Sequence, residues 1–383
     1  IDIVGAMFFI SRNFIQYTGQ GSEHKLKRIR AVGFNETYNT SDMLDKLAIL
    51  TDGTYEGLSS EGIAGEDELP VLDGTLNVYA NAYEDSIETL RSTFSKLTLN
   101  VIGEYYVRFK DSVVGSYMIE KFGDGTGITK GRLGQISKSQ LGKPFTNNKQ
   151  LVYFDEMKYL NNLYDIDANL FLNCSSLISV ILPPNIINLY NACFRNTALT
   201  TIVIPKTVVY MEQSVFEECQ YLESCIFEEE RANALKIRWS VWTKSALKEI
   251  SLPDNVIVDG NMGYAFAYCK ELVRVHLPNN IGGIYDSMFR DCSKLTEVNI
   301  PTTVTLMGAR AFNGCSSLRK LDCLGNITSI EQYTFAGCTS LTWLRIPSTC
   351  TFIAKYSFER CDVLITLIVE AITSPRVPTI TST

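Results

Sequence analysis

The residues of this 383-residue chain best suited to chemistry are its eleven cysteines, because a thiolate can act as nucleophile, metal ligand or redox centre. Their spacing argues for another use. Cys174, Cys219, Cys269, Cys292, Cys315, Cys338 and Cys361 each stand three residues after a phenylalanine. Cys193 directly precedes Phe194, where Ala265 and Ala311 stand elsewhere, Cys225 and Cys323 take apolar strand slots, and Cys350 takes the slot of Val304. All eleven slots point inward by pattern, and cysteine packs as a small hydrophobe. Stacked copies would bring equivalent cysteines to about 4.8 Å, but with parallel Cβ vectors that do not suit a disulfide. The expectation is a column of free core thiols. There is no Cys-x-x-Cys pair and there are two histidines, a poor supply for zinc. His24 lies in a polar loop and His276 sits alone on a strand. Neither has a nucleophile motif beside it, so the reading is a protein that is not an enzyme and carries no cofactor. Gly123-Asp-Gly-Thr-Gly offers only the Asp124 carboxylate and the Thr126 hydroxyl to a calcium ion, which needs more oxygens, and it lacks the Gly-Lys-Ser/Thr of a phosphate loop. It reads as a metal-free turn.

The cysteines are positioned by a phrase, Phe-x-x-Cys-x-x-Leu, that returns every 23 residues from Phe266 to Leu364. Such a period is the mark of a solenoid, whose repeats bury their apolar faces only against one another. Nine rungs are marked by Phe171, Phe194, Phe216, Val241, Phe266, Phe289, Phe312, Phe335 and Phe358. Each continues as Leu-x-x-Ile-x-Ile-Pro, as in Leu295 to Pro301, with a period of two that predicts a strand and a proline that ends it. Apolar residues about three apart before the next Phe, such as Ile281 and Ile284, suit a helical or 3₁₀ turn. Two rungs are irregular. Phe194 to Leu199 is one residue short and lacks the Cys, and Val241 is flanked by 25-residue spacings with Lys244 in the Cys slot. Trp239, Trp242 and the run Glu228-Glu-Glu-Arg231 suggest a bulge there. Drift is favoured over a binding feature, because insertions in repeats map to surface loops.

The remaining chain divides around this array. Residues 1–102 read as short strands separated by Thr51-Asp-Gly, Ser59-Ser-Glu-Gly and Leu72-Asp-Gly-Thr turns, the layout of a small β-sandwich. Residues 103–150 form a connector with a strand at Tyr105, helical spacing from Asp111 to Phe122 and a second helix over Lys130 to Ser139. The solenoid occupies 151–371, opening with a cap of Phe154, Met157, Leu160, Leu163 and Ile166, and 372–383 is a tail. A net charge of -7 argues against a nucleic-acid partner, and no apolar run is long enough for a membrane-spanning segment. The apolar start, Ile1 to Ile10, lacks the basic lead and cleavage site of a signal peptide and reads as the start of a fragment or mature form.

Ala-Phe-x-x-Cys-x-x-Leu-x-x-Val-x-Ile-Pro resembles the BspA-like (Treponema-type) leucine-rich repeat, and residues 1–102 are similar to a bacterial Ig-like domain of group 2, though without its usual Trp. Tyr106-Val-Arg-Phe, Gly123-Asp-Gly-Thr-Gly and Phe154-Asp-Glu-Met resemble a lead-in found on such repeats in gut Bacteroidetes and their bacteriophages. The resemblance implies a β-rich α+β protein, an Ig-like β-sandwich followed by a right-handed leucine-rich-repeat solenoid. It implies a non-catalytic recognition or adhesion protein that is extracellular or on a bacterial cell surface and binds a protein or glycan ligand. The alternative is a bacteriophage virion component, in the tail or in host recognition, whose partners are neighbouring virion proteins. A homo-oligomer is compatible with either. The outward strand positions are bland in early rungs and charged in later ones, where Glu249, Arg274, Glu297 and Lys320 alternate in sign. The residues expected to bind are Trp343 and Arg345, since exposed Trp and Arg dominate binding hot spots, together with Asp322, His276 and Arg274. An equal reading of Trp343 is packing under a terminal cap.

Overall fold

The computed structural model describes residues 104–258, 261–322 and 326–369, plus short strand segments and Glu84 in residues 2–101 and the pair Thr379–Ile380. The Ig-like sandwich read over 1–102, His24, Cys323 and most of the tail 372–383 lie outside the described residues. The chain forms two compact units, Ile1–Gln135 and Ile136–Thr383.

In the first unit, the helix α1 (Ser112–Phe122) begins where the Asp111 carboxylate accepts from the Val113 N–H at 2.8 Å, and it buries Val114, Gly115, Met118 and Phe122. It ends at Gly123, where an added Cβ would lie 2.4 Å from the Gly127 carbonyl, so only glycine fits the close approach of the two backbone segments. The acidic-glycine loop is closed by its own side chain. Asp124 Oδ1 accepts from the Thr126 and Gly127 N–H groups at 3.0 Å, and Oδ2 accepts from the Tyr106 hydroxyl at 2.5 Å. Burial pushes the Asp124 pKa up, yet these bonds outweigh it and hold the carboxyl below its ordinary value. The stability they contribute is present above that ordinary value and is lost as the pH falls through the lowered one. The second helix expected over Lys130–Ser139 is two short ones, α2 (Lys130–Gly134) in the first unit and α3 (Lys138–Leu141) in the second. The Ser137 N–H donates to Gln140 Oε1 at 2.9 Å, half of a capping box that starts a new helix rather than continuing the old one.

Residues 136–150, read from the sequence as the end of the connector, belong to the second unit. Phe145 stacks on Phe171 at 5.8 Å and 8°, so it heads the aromatic column. Each following rung has three sides. The first is the strand expected from the Leu-x-x-Ile-x-Ile-Pro segment, paired in parallel with its neighbours, as Thr201–Ile204 is with Ser224–Phe227. The second side corrects the expected helical turn. It is another short parallel strand, such as Asn188–Leu189, Tyr210–Met211 or Gly283–Ile284. The Ile281 N–H closes a turn on the Pro278 carbonyl at 3.2 Å before Ile284 enters that strand, which gives a three-residue spacing without a helix.

The third side is a run of turns around each Phe, and it too is a ladder. The N–H groups of Ser287, Phe289 and Asp291 donate to the Ala309, Ala311 and Asn313 carbonyls of the next rung at 2.8, 2.8 and 2.7 Å. The same pattern runs from Asn169, Phe171 and Asn173 onward. It requires left-handed backbone two residues before and two after each Phe, at Ser287 (φ 55°) and Asp291 (φ 56°) for example, and at Tyr264, Tyr268, Arg310 and Arg360 elsewhere. Left-handed conformation costs a side chain about 1–2 kcal/mol, comparable with the roughly 0.5–1.5 kcal/mol net contribution of one such hydrogen bond. The geometry therefore survives because neighbouring rungs impose it on each other.

This ladder also corrects the irregular rung. The Phe216 N–H donates to Val241 O, and the Trp242 N–H donates to Ala265 O, so Trp242 and not Val241 holds the Phe slot. Left-handed Ser240 and Lys244 flank it as expected, and its ring stacks on Phe266 at 5.1 Å and 3°. The Cys slot is then Ser245 rather than Lys244, and Leu247 follows one position early, as Leu199 does after Phe194. Trp242→Ala is expected to cost about 3–5 kcal/mol by leaving a cavity in the column. Trp239→Ala, at a residue 45% exposed, should cost under about 1 kcal/mol. Urea unfolding of the two variants checks the assignment, and the reverse order would contradict it.

Candidate functional site

The strand side presents its alternate residues outward in a register that follows from pairing. Glu249, Arg274 and Glu297 are cross-strand neighbours, as are Ser251 and His276. Lys320 lies beside Trp343 and Asp322 beside Arg345. Arg274 Nε donates to Glu297 at 2.6 Å and its Nη1 lies 3.4 Å from Glu249, so the first three members of the sign-alternating row are joined, while Lys320 lies in a separate sheet. The Glu297 hydrogen bond and charge, joined by Glu249, raise the Arg274 pKa. All three side chains are more than half exposed and the pairing contributes little to stability.

The five residues singled out from the sequence fall into two groups. Arg274 and His276 share the wall of a groove. Asp322, Trp343 and Arg345 form a second cluster toward the end of the array, where each is half-buried. The Lys320 ammonium sits 4.4 Å from the centre of the Trp343 ring, so one face of that ring is covered by a cation of its own chain. Asp322 Oδ1 is buried and has no hydrogen-bond partner among the described residues.

The groove encloses about 780 Å³ and is built at the irregular rung. It is lined by two successive strands that belong to separate sheets, Ser224–Phe227 and Glu249–Ser251, by the stretch Glu228–Arg231, and by Asp254 and His276. Phe216 and Trp242 are 26 residues apart, three more than the regular period, and the extra chain is tied down on both sides. Arg231 Nη1 donates to the Pro205 carbonyl at 2.9 Å and Nη2 to that of Val208, in the rung before. Asn255 Nδ2, from the rung after, donates to Asn233 O at 2.8 Å and Arg231 O at 3.2 Å. Burial lowers the Arg231 pKa against the opposing pull of Glu228, and its Nε has no hydrogen-bond partner among the described residues. Glu230 takes a left-handed turn (φ 54°) to form the bend. The sequence favoured drift at this rung; the structure has an anchored wall. The signals in the sequence were the extra length and the run Glu228-Glu-Glu-Arg231, but the place of Asp254 in the lining required knowing which rungs meet.

The cysteine slots lie where expected, with one property that spacing alone does not reveal. The ten described cysteines are unbridged, nine buried and Cys361 half-buried. In the repeat slot each thiol donates to the carbonyl of the preceding rung's aromatic residue, as Cys315 Sγ does to Phe289 O at 3.1 Å and Cys269 Sγ to Trp242 O at 3.1 Å. The irregular rungs place small polar residues there instead, Thr197 and Ser245, each 3.3 Å from the next thiol, and Thr197 donates to the Phe194 carbonyl of its own rung. Burial pushes the thiols up, Cys174 to about 12 and Cys219 to about 11. They stay protonated at neutral pH, when only the thiolate is nucleophilic. Cys315→Asp should destabilise the protein by more than about 3 kcal/mol, because it buries an unpaired charge. Cys315→Ser keeps a donor and should cost much less. Equal melting temperatures for Cys315→Asp and the unsubstituted protein would show that the slot is not a core position.

The repeat also has counterparts among known proteins. The family model described as the BspA type leucine rich repeat region matches residues 145–262 and 261–374. A leucine rich cell surface protein from Faecalibacterium prausnitzii is 25% identical over 60% of this chain, with a TM-score of 0.43. The chain spans 62% of that protein's length. A leucine-rich repeat protein from Eubacterium ventriosum is 17% identical over 80% of this chain and 87% of its own, with a TM-score of 0.36. The leucine rich repeat protein of T. pallidum is 19% identical over 49% of this chain and 78% of its own, with a TM-score of 0.34. No curated protein matches. With the family model covering more than half of its residues, and with a rung geometry that repeats through them, the chain belongs to the BspA-type leucine-rich repeat family.

Proposed function

We propose that this chain is a non-catalytic recognition protein, displayed extracellularly on a bacterial surface, whose outward strand face binds a protein or glycan ligand. The observation that carries the reading is the anchored groove on that face. A solenoid needs only its inward columns to fold, and here those columns hold the repeated Phe, Cys and Leu. The outward columns are free to vary and are chemically diverse, with aliphatic, acidic, basic and aromatic members in successive rungs. Such a face is an extended surface for a partner. His276 stands exposed on a strand of that face. The ten described cysteines, the chain's reactive residue type, are buried or half-buried, with thiols such as that of Cys315 raised by burial. No helix among the described residues is long and apolar enough to cross a membrane.

The test is a glycan array and a peptide array probed with three proteins: the full chain, the strand-face variant Arg274→Ala/His276→Ala, and the turn-side control Lys355→Ala. A ligand held by the full chain, weakened about tenfold or more by the strand-face substitutions and unchanged in the control, supports the reading. If every ligand found is weakened by the control and untouched by the strand-face variant, the reading is wrong.

A further inference from the structure

We propose that the groove at the irregular rung takes an extended cationic peptide segment of a partner protein. Its aliphatic side chains would lie along Ile181, Val203 and Ile226, and its lysine or arginine side chains would enter the cup of Glu229, Glu230 and Asp254. The inference rests on the strand-face reading above and names the chemistry of the partner.

Two independent features converge. The first is apolar. Ile181, Val203 and Ile226 occupy one outward column in three successive rungs and are 44%, 44% and 49% exposed. Val203 and Ile226 are direct cross-strand partners, and neighbouring strands lie about 4.8 Å apart. Single exposed aliphatic residues are ordinary on a protein surface, whereas a continuous stripe marks a contact surface. The stripe runs into the groove, because Ile226 lines it.

The second feature is charge. The groove is lined by five carboxylates, Glu228, Glu229, Glu230, Glu249 and Asp254, against the guanidinium groups of Arg231 and Arg274. Both cations have partners other than Glu229, Glu230 and Asp254. Arg274 is held between Glu249 and Glu297, and Arg231 reaches back to the Pro205 and Val208 carbonyls. Glu229, Glu230 and Asp254 are exposed and border the open space. Among the described residues, no three carboxylate, histidine or cysteine side chains converge enough to hold a metal ion. Spread-out negative charge beside an aliphatic stripe fits several separate cationic groups on a chain that also carries aliphatic side chains. Charge complementarity of this kind sets partner choice and on-rate, and the tethered wall leaves the groove formed before the partner arrives, which lowers the cost of binding.

The test titrates the full chain with three fluorescein-labelled short peptides of alternating composition: leucine with lysine, leucine with glutamate, and serine with lysine. The leucine–lysine peptide should bind, with affinity falling as salt rises, and the other two should bind at least about tenfold more weakly. Glu229→Lys/Asp254→Lys should weaken the leucine–lysine peptide by about tenfold or more, and Ile226→Ser should weaken it independently. If the charge-reversed chain melts lower than the unsubstituted one, Glu229→Gln/Asp254→Asn replaces it and should lose most of the salt dependence. Equal binding of the leucine–glutamate peptide, or affinity unchanged in the substituted chains, overturns the proposal. Should no peptide bind while the arrays yield a ligand sensitive to Arg274→Ala/His276→Ala, the cationic-peptide inference fails and the strand-face reading stands.

Discussion

The structure depends on a hydrogen-bond ladder in an unexpected place, the run of turns around each Phe. Three alternate N–H groups of one rung donate to three alternate carbonyls of the next. That is possible only with left-handed backbone on both sides of the aromatic residue, at positions filled by Tyr, Arg, Lys, Ser and Asn far more often than by Gly. An isolated rung would relax out of this conformation. The stack holds it, because each strained residue gains a bond to a neighbour in the same condition. The aromatic rings reinforce the register, with centroids between 5.1 and 5.8 Å in successive stacked pairs. The thiols close the remaining gap. The Phe289 carbonyl accepts both the Cys292 N–H of its own rung and the Cys315 thiol of the next, each at 3.1 Å.

The same constraint explains where the array departs from its period. The ladder passes through the irregular rung without a break, since Phe216, Trp242 and Phe266 keep the same N–H to carbonyl sequence. What the chain inserts there must lie outside the ladder, and it does so between the strand ending at Phe227 and the one beginning at Leu235. Phe227 packs edge-on to Trp242 at 6.4 Å, filling the space the larger indole defines. The displaced segment becomes the Glu228–Arg231 wall, clamped by Arg231 on one side and Asn255 on the other. A groove on the strand face is therefore a consequence of holding the ladder constant while changing the length of one rung.

Much of this was legible in the residues. The Phe, Cys and Leu columns, the strand ended by proline and the helix beginning after Asp111 all follow from spacing and residue type. The second strand of each rung was hidden, because Ile281 and Ile284 are three apart in a turn followed by a strand just as they would be in a helix. The left-handed pairs were hidden because Tyr264 and Arg310 carry no sign of that conformation, which neighbouring rungs impose. Spacing placed the aromatic slot one residue before Trp242, because a template with Leu six residues after the aromatic fits Val241 and Leu247. The true rung is shorter there, as it is from Phe194 to Leu199. The groove was least legible of all, since its lining comes from rungs whose adjacency only the fold establishes, although Arg274 and His276 were picked out by their outward slots.

The central claim is that the turn runs form a continuous inter-rung ladder, and amide hydrogen exchange tests it most directly. The account predicts strong protection for the Ser287, Phe289 and Asp291 amides, comparable with that of the strand amides Val275 and Ile250 beside them. Exchange of those three amides as fast as that of the exposed turn at Asn279 and Asn280 would contradict it.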